Sequence, residues 1–139
     1  MTRTLLITLL AMWPRGFPTS TCVTARRDAI AATVDESAAR WHVPPALVVA
    51  VGFSETHLGC DANEGGGFGA PLDAHHRHTA GTVDTAVRIL ARSYAVCGTW
   101  PRAVTRFRSG MCVLPAGDRR IPYTARVLRL AARLGWVAP

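Results

Sequence analysis

Residues 46–53 read Ala46-Leu-Val-Val-Ala-Val-Gly-Phe53, without a single polar side chain. Pro44-Pro45 precede the run and Ser54-Glu55-Thr56 follow it. Proline stops the helix before it and is tolerated in the first turn of the next, so a helix opens here. A helix that is apolar all round has no face to give to water and must be buried. The rest of the fold is therefore expected to be built around this segment.

Elsewhere the apolar residues recur at helical spacing, and no period-two alternation is long enough for a sheet, which predicts an all-α fold. Arg26 to Trp41 carries Ile30, Val34, Ala38 and Trp41 on one face. Gly59 through Gly81 holds six glycines, Pro71 and three histidines and reads as a long loop, of a length more often functional than not. Thr82 is expected to cap a helix containing Val83, Val87, Leu90 and Tyr94, with Asp84 near its positive end and Gly98 at its close. Trp100-Pro101 opens a short helix to Phe107, broken by Ser109-Gly110. Tyr123, Val127, Leu130 and Leu134 mark a final helix whose wet face carries Arg126, Arg129 and Arg133. With 139 residues there is room for one domain, and 49% hydrophobic against 18% charged residues excludes wholesale disorder, collagen and coiled coil.

Sixteen arginines and no lysine oppose nine acids, giving a net charge of +7. Such a chain favours polyanions or acidic surfaces: nucleic acid, anionic lipid or cell-wall polymer. Trp41-His-Val-Pro-Pro45 does give a turn between helices, as in a helix-turn-helix unit. The helix that follows is apolar, however, where a recognition helix must present polar side chains to base edges. A small basic helical nucleic-acid-binding protein is thus a rival reading, and no nucleic-acid partner is expected.

The N-terminus places Arg3 before the apolar run Leu5–Trp13, and Pro14, Gly16 and Pro18 follow. Nine apolar residues cannot cross a hydrocarbon core as a helix, which needs about 20. The pattern fits a secretory signal peptide over residues 1–25, with Val23-Thr24-Ala25 as the cleavage site and 26–139 as the mature domain. The alternative is a buried first helix of the fold. Export makes disulfides accessible, and no stable membrane span is expected in the mature chain. Cys97 and Cys112 lie at the two ends of a helical hairpin, where a disulfide between them is expected. Cys60 pairs with Cys22 only if the cut falls before Cys22, and is otherwise a free thiol. His75-His76-Arg77-His78 are adjacent loop residues that do not converge on one ion as zinc ligands must, so neither metal nor other cofactor is expected.

Glu55 is the most informative residue. It ends the most apolar helix, seven residues after Val48 and so on a similar face. Burial and the negative end of a helix both work against a charged carboxylate there, which suits a general acid. Gly65-Gly-Gly67-Phe68-Gly69 follow and can bring backbone close to a ligand. The alternative is a helix-end residue turned to solvent, with the loop a plain linker.

Val51-Gly-Phe-Ser-Glu55-Thr56-His57-Leu58-Gly59 resembles the catalytic helix end of the soluble lytic transglycosylase domain, related to goose-type lysozyme, with Thr56 in the position of a serine. Gly67-Phe68-Gly69-Ala70-Pro71 occupies the place of that family's Gly-Leu-Met-Gln segment, and the Met-Gln pair is absent. Thr82 to Tyr94 resembles the helix that follows. Phe107-Arg108-Ser109-Gly110 sits where the family has Tyr-Asn-Ala-Gly. Tyr123-Thr-Ala-Arg-Val127 resembles its closing Tyr-x-x-x-Val. The likeness spans about residues 28–134.

The resemblance implies a lysozyme-like domain with a long Gly-rich active-site loop, exported to the bacterial envelope or beyond. It implies cleavage of the β-1,4 bond between N-acetylmuramic acid and N-acetylglucosamine in peptidoglycan strands. Glu55 would be the single catalytic acid, and Thr56, Gly67, Phe68, Phe107 and Tyr123 would contact substrate. Tyr123 is equally readable as a core aromatic, and for Phe107, which sits on a helix, core packing is the favoured role. Asp61, Glu64 and Asp73 are the candidates for a second carboxylate of the kind two-acid glycosidases use. A secreted wall-binding module without turnover is the other rival.

Overall fold

The computed structural model describes residues 1–12, 17–61 and 80–139. Among these residues there are seven helices and no strand, so the fold is all-α as expected. They are α1 (Thr2–Ala11), α2 (Ser20–Ala25), α3 (Arg27–Trp41), α4 (Pro45–Thr56), α5 (Ala80–Cys97), α6 (Trp100–Ser109) and α7 (Ile121–Arg133).

The apolar run forms α4, with Pro45 in its first turn and every residue from Ala46 to Gly52 buried. Three helices pack against it, α1, α3 and α7. Val48 and Val51 face Ala86, Val87 and Leu90 of α5. The buried side chains form one continuous core with α4 running through it. Truncating a fully buried Leu47 to Ala would remove about 2–5 kcal/mol of stability.

The neighbouring helices follow their sequence patterns. Ile30, Val34 and Ala38 of α3 are buried, and α3 ends at His42 in a left-handed conformation with Val43 N–H bonded to the Ala38 carbonyl. Asp84 near the start of α5 ties that helix to α3, accepting from Arg40 Nη1 at 2.9 Å and from Trp41 Nε1 at 3.0 Å. α5 starts at Ala80, so Thr82 lies inside the helix instead of capping it. No proline between Pro71 and Thr82 stops the helix from running back. Val83, Val87 and Leu90 are buried, while Tyr94 is half out in solvent with its ring stacked on Trp100 at 4.1 Å. α6 is capped by the Thr99 hydroxyl, which accepts the Arg102 N–H, and stops at Gly110, whose φ of 82° suits glycine. Asp118 sets the start of α7 by accepting from both the Arg120 N–H and its guanidinium. The Arg120 side chain holds the Asp118 carboxyl down at about 2. Tyr123, Val127, Leu130 and Leu134 then face inward, and Arg126, Arg129 and Arg133 face water.

The described residues among the first 25 are part of this packing. Leu6, Leu9, Phe17 and Val23 are buried in the core, and the Thr2 hydroxyl donates to Asp35 Oδ1. Two disulfides are present, Cys22–Cys60 and Cys97–Cys112, with Cα separations of 5.8 and 5.6 Å, and no cysteine is free. The Cys97–Cys112 pairing agrees with the hairpin geometry inferred from sequence. Cys60 takes Cys22, the partner that survives only a cut ahead of it; a cut after Ala25 would break this bridge. Both bridges are compatible with an exported protein. No helix among the described residues is long and apolar enough to cross a membrane.

The bridges close loops of 38 and 15 residues. By the chain-entropy relation, replacing Cys22 and Cys60 by Ala should cost about 4 kcal/mol, and replacing Cys97 and Cys112 about 3 kcal/mol. Urea midpoints of the two double variants, beside a non-reduced peptide map of the parent, check both the pairing and the order.

Candidate active site around Glu55

α4 ends in an unusual turn. His57 and Leu58 both adopt left-handed backbone, with φ of 47° and 57°, before Gly59 at 87°. Such conformations are disfavoured for a bulky residue like leucine and persist only where the surroundings over-determine them. Here Leu58 is buried and its N–H bonds the Gly52 carbonyl, while the His57 N–H bonds Phe53. The Thr56 hydroxyl accepts the Gly59 N–H at 2.9 Å. His57 is fixed further by Nδ1 contact with the Thr19 hydroxyl at 2.7 Å and by stacking on Phe53 at 4.6 Å. The last turn of α4, which carries Glu55, is held from several sides.

Glu55 itself has a side chain only 12% exposed. Its Oε1 accepts a hydrogen bond from the Tyr123 hydroxyl at 2.7 Å. Its Oε2 lies 3.8 Å from Arg108 Nη1. The Arg108 guanidinium also sits 5.6 Å from the centre of the Tyr123 ring, in cation–π range. Three helices thus meet at one carboxylate: α4 brings the acid, α7 the phenol, α6 the guanidinium. Burial, then the charge of Glu55 and the hydrogen bond to it, push the Tyr123 phenol well above the ordinary tyrosine range, against the opposing pull of Arg108 and Arg126. Tyr123 is consequently a donor to Glu55 throughout the working pH range.

Of the residues expected from sequence, Glu55 and Tyr123 come together. Phe107 is half-buried and packs against the core, as expected for an aromatic on a helix. Thr56 is 1% exposed and its hydroxyl is engaged within the turn, so it is not presented beside the acid. Gly67 and Phe68 lie outside the described residues, as do Glu64, Asp73 and the three loop histidines. Asp61, half-buried, is described, with its N–H bonded to the Thr56 carbonyl. Among the described residues no three His, Cys, Asp or Glu side chains group as metal ligands would. Sequence reasoning missed Arg108. The signal was a cation where the pattern that the sequence resembles has a neutral Asn.

A cleft of about 580 Å³ runs between the end of α4 and α7. α4 contributes Phe53 and Ser54, with His57 after it; α7 contributes Leu130, Arg126, Arg129 and Arg133. Comparison of the chain with protein-family models, curated proteins and solved structures finds no match.

The Tyr123–Glu55 bond has a measurable signature. Tyr123→Phe should lower stability at pH 7 by about 1–3 kcal/mol, the cost of leaving a buried acceptor without its donor. The folded-state phenol lies above the unfolded value of 10.0. The contribution is therefore complete below pH 10 and is lost as pH rises beyond it. Urea midpoints measured from pH 8 to 11 should show the gap between parent and Tyr123→Phe closing above pH 10; a constant gap would contradict the assignment.

Proposed function

We propose that the protein is an exported lytic transglycosylase that cleaves the β-1,4 bond between N-acetylmuramic acid and N-acetylglucosamine, with Glu55 as its single acid and base. The hydrogen bond between Glu55 and Tyr123 carries this reading. These are two of the positions that the resemblance marks, they are 68 residues apart, and they meet at 2.7 Å in a mostly buried site. The lysozyme-like fold, the peptidoglycan partner and export belong to the same proposal. A mature protein that keeps the Cys22–Cys60 bridge would need any leader cleavage to fall ahead of Cys22.

In this mechanism Tyr123 occupies Oε1 and so directs the acidic proton to Oε2. That proton passes to the glycosidic oxygen as the C1–O bond breaks, and the leaving sugar departs neutral. The positive charge that develops at C1 is stabilised by the muramyl N-acetyl group. The carboxylate left behind keeps the Tyr123 hydrogen bond and has Arg108 beside it, so the charge created in the step meets a donor and a cation already in place. The muramyl O6 hydroxyl then attacks C1 and gives its proton back to Glu55. The product is a 1,6-anhydro sugar, no water is consumed, and the acid is regenerated.

Arg108 also favours one specific alternative. It stands where the family has Asn and pairs with Oε2, the oxygen that a sugar must reach. A guanidinium that stayed there would leave a wall-binding module without turnover.

Incubation of the protein with purified sacculi separates the two. Soluble 1,6-anhydro products identified by mass support the enzyme, whereas binding without release supports the module. Glu55→Gln keeps the size of the side chain and loses its proton, so it should fold normally and lower product release by at least about 100-fold. Near-parental release by this variant would move the chemistry to another residue.

A further inference from the structure

α7 presents Arg126, Arg129 and Arg133 to the cleft that Ser54, the chain neighbour of Glu55, lines from the α4 side. All three are exposed, and among the described residues none forms an ion pair. Arg3, Arg27, Arg40, Arg108 and Arg120, by contrast, each have a carboxylate partner. Like charges three or four residues apart on a helix repel one another. Arg133, in the last turn, is favoured by the negative end of the helix dipole, but that effect fades within one turn and does not account for Arg126. The stripe therefore brings repulsion that nothing in the described fold offsets.

The stripe also has a direction. Tyr123, the partner of Glu55, lies one turn before Arg126 on α7. From Arg126 to Arg133 is seven residues, or about 10 Å along the axis. The guanidiniums thus begin one turn beyond the partner of Glu55 and lead away from it along α7, with Phe53 and Leu130 supplying apolar surface between α4 and α7. One small ion would not span that distance. The geometry suits an extended chain with two or more oxyanions over about 10 Å and apolar groups between them, which guanidinium forks bind through charge-assisted hydrogen bonds.

We infer that this cleft is a binding site for the acidic substituents of the polymer cut at Glu55, an inference that rests on the function proposed above. The ligand chemistry is the oxyanion. Its two sources in a cell wall are the carboxylates of peptide stems and the phosphodiesters of attached polymers.

The test uses the full chain carrying Glu55→Gln, so that the sacculi stay intact, and measures co-sedimentation over a range of NaCl concentrations. Binding should be strongest at low salt and be released as salt screens the contacts. Adding Arg126→Gln, Arg129→Gln and Arg133→Gln together should weaken it about tenfold, given three partly exposed ionic contacts. Lysine at the same three positions should restore most of it. Arg119→Gln, an exposed arginine away from the cleft, should leave binding as it was. Sacculi stripped of phosphodiester-linked polymers and sacculi stripped of peptide stems identify the source, because binding falls with whichever group is removed. Parental binding by the triple Gln variant, or binding indifferent to both treatments, overturns the inference. Product release by the parent protein is followed in parallel. Arginine-dependent binding without product release would sink the reading of Glu55 and leave the cleft standing. Product release with arginine-independent binding would do the reverse.

Discussion

α4 has no polar face until its last turn, and that single constraint arranges the molecule. A helix of this kind is stable only when neighbours remove it from water on every side. α1, α3 and α7 do so directly, and Val48 and Val51 reach the face of α5. The first polar side chains after the apolar run, Ser54, Glu55 and Thr56, emerge where this enclosure ends. Each meets a different environment: Ser54 lines the cleft, Glu55 meets Tyr123, and Thr56 turns inward to bind the Gly59 N–H. A partly buried carboxylate here follows from ending so apolar a helix in an acid. Its hydrogen-bond donor then has to come from a distant part of the chain.

Much of this is legible in the sequence because helical periodicity and proline or glycine punctuation are local signals. Pro44-Pro45, Gly98 and Gly110 mark boundaries that the structure keeps, and the inward positions of α3 and α7 fall where the spacing puts them. Glu55 and Tyr123 are each identifiable as candidates. Their pairing is not, since a contact across 68 residues depends on how α7 crosses α4. Arg108 is harder still, because a charged residue on a short helix reads as solvent-facing unless one knows that its helix points at the acid. The left-handed backbone of Leu58 has no local signal beyond the glycine after it, for leucine does not favour that conformation. The inward turn of Thr56 follows from that same backbone.

The two disulfides frame the elements that build the site. Cys22–Cys60 fastens the segment just beyond Glu55 to α2, and Cys97–Cys112 closes the hairpin around α6, which carries Arg108. Of the three helices that meet at the carboxylate, two are therefore secured covalently near the site. The third, α7, is held by its buried stripe and by the Asp118–Arg120 contacts at its start. Preorganisation of this kind is what an acid–base group needs if its partners are to be in place before charge moves.

One consequence concerns the stretch between residues 62 and 79. The chain is pinned just before it at Cys60, bonded to Cys22, and just after it at Asp84, held by Arg40 and Trp41. Glu55, Tyr123 and Arg108 all lie outside this stretch. The acid and its two partners thus belong to helices fixed independently on either side of residues 62–79, by a covalent bridge on one side and by the Arg40 and Trp41 contacts to Asp84 on the other.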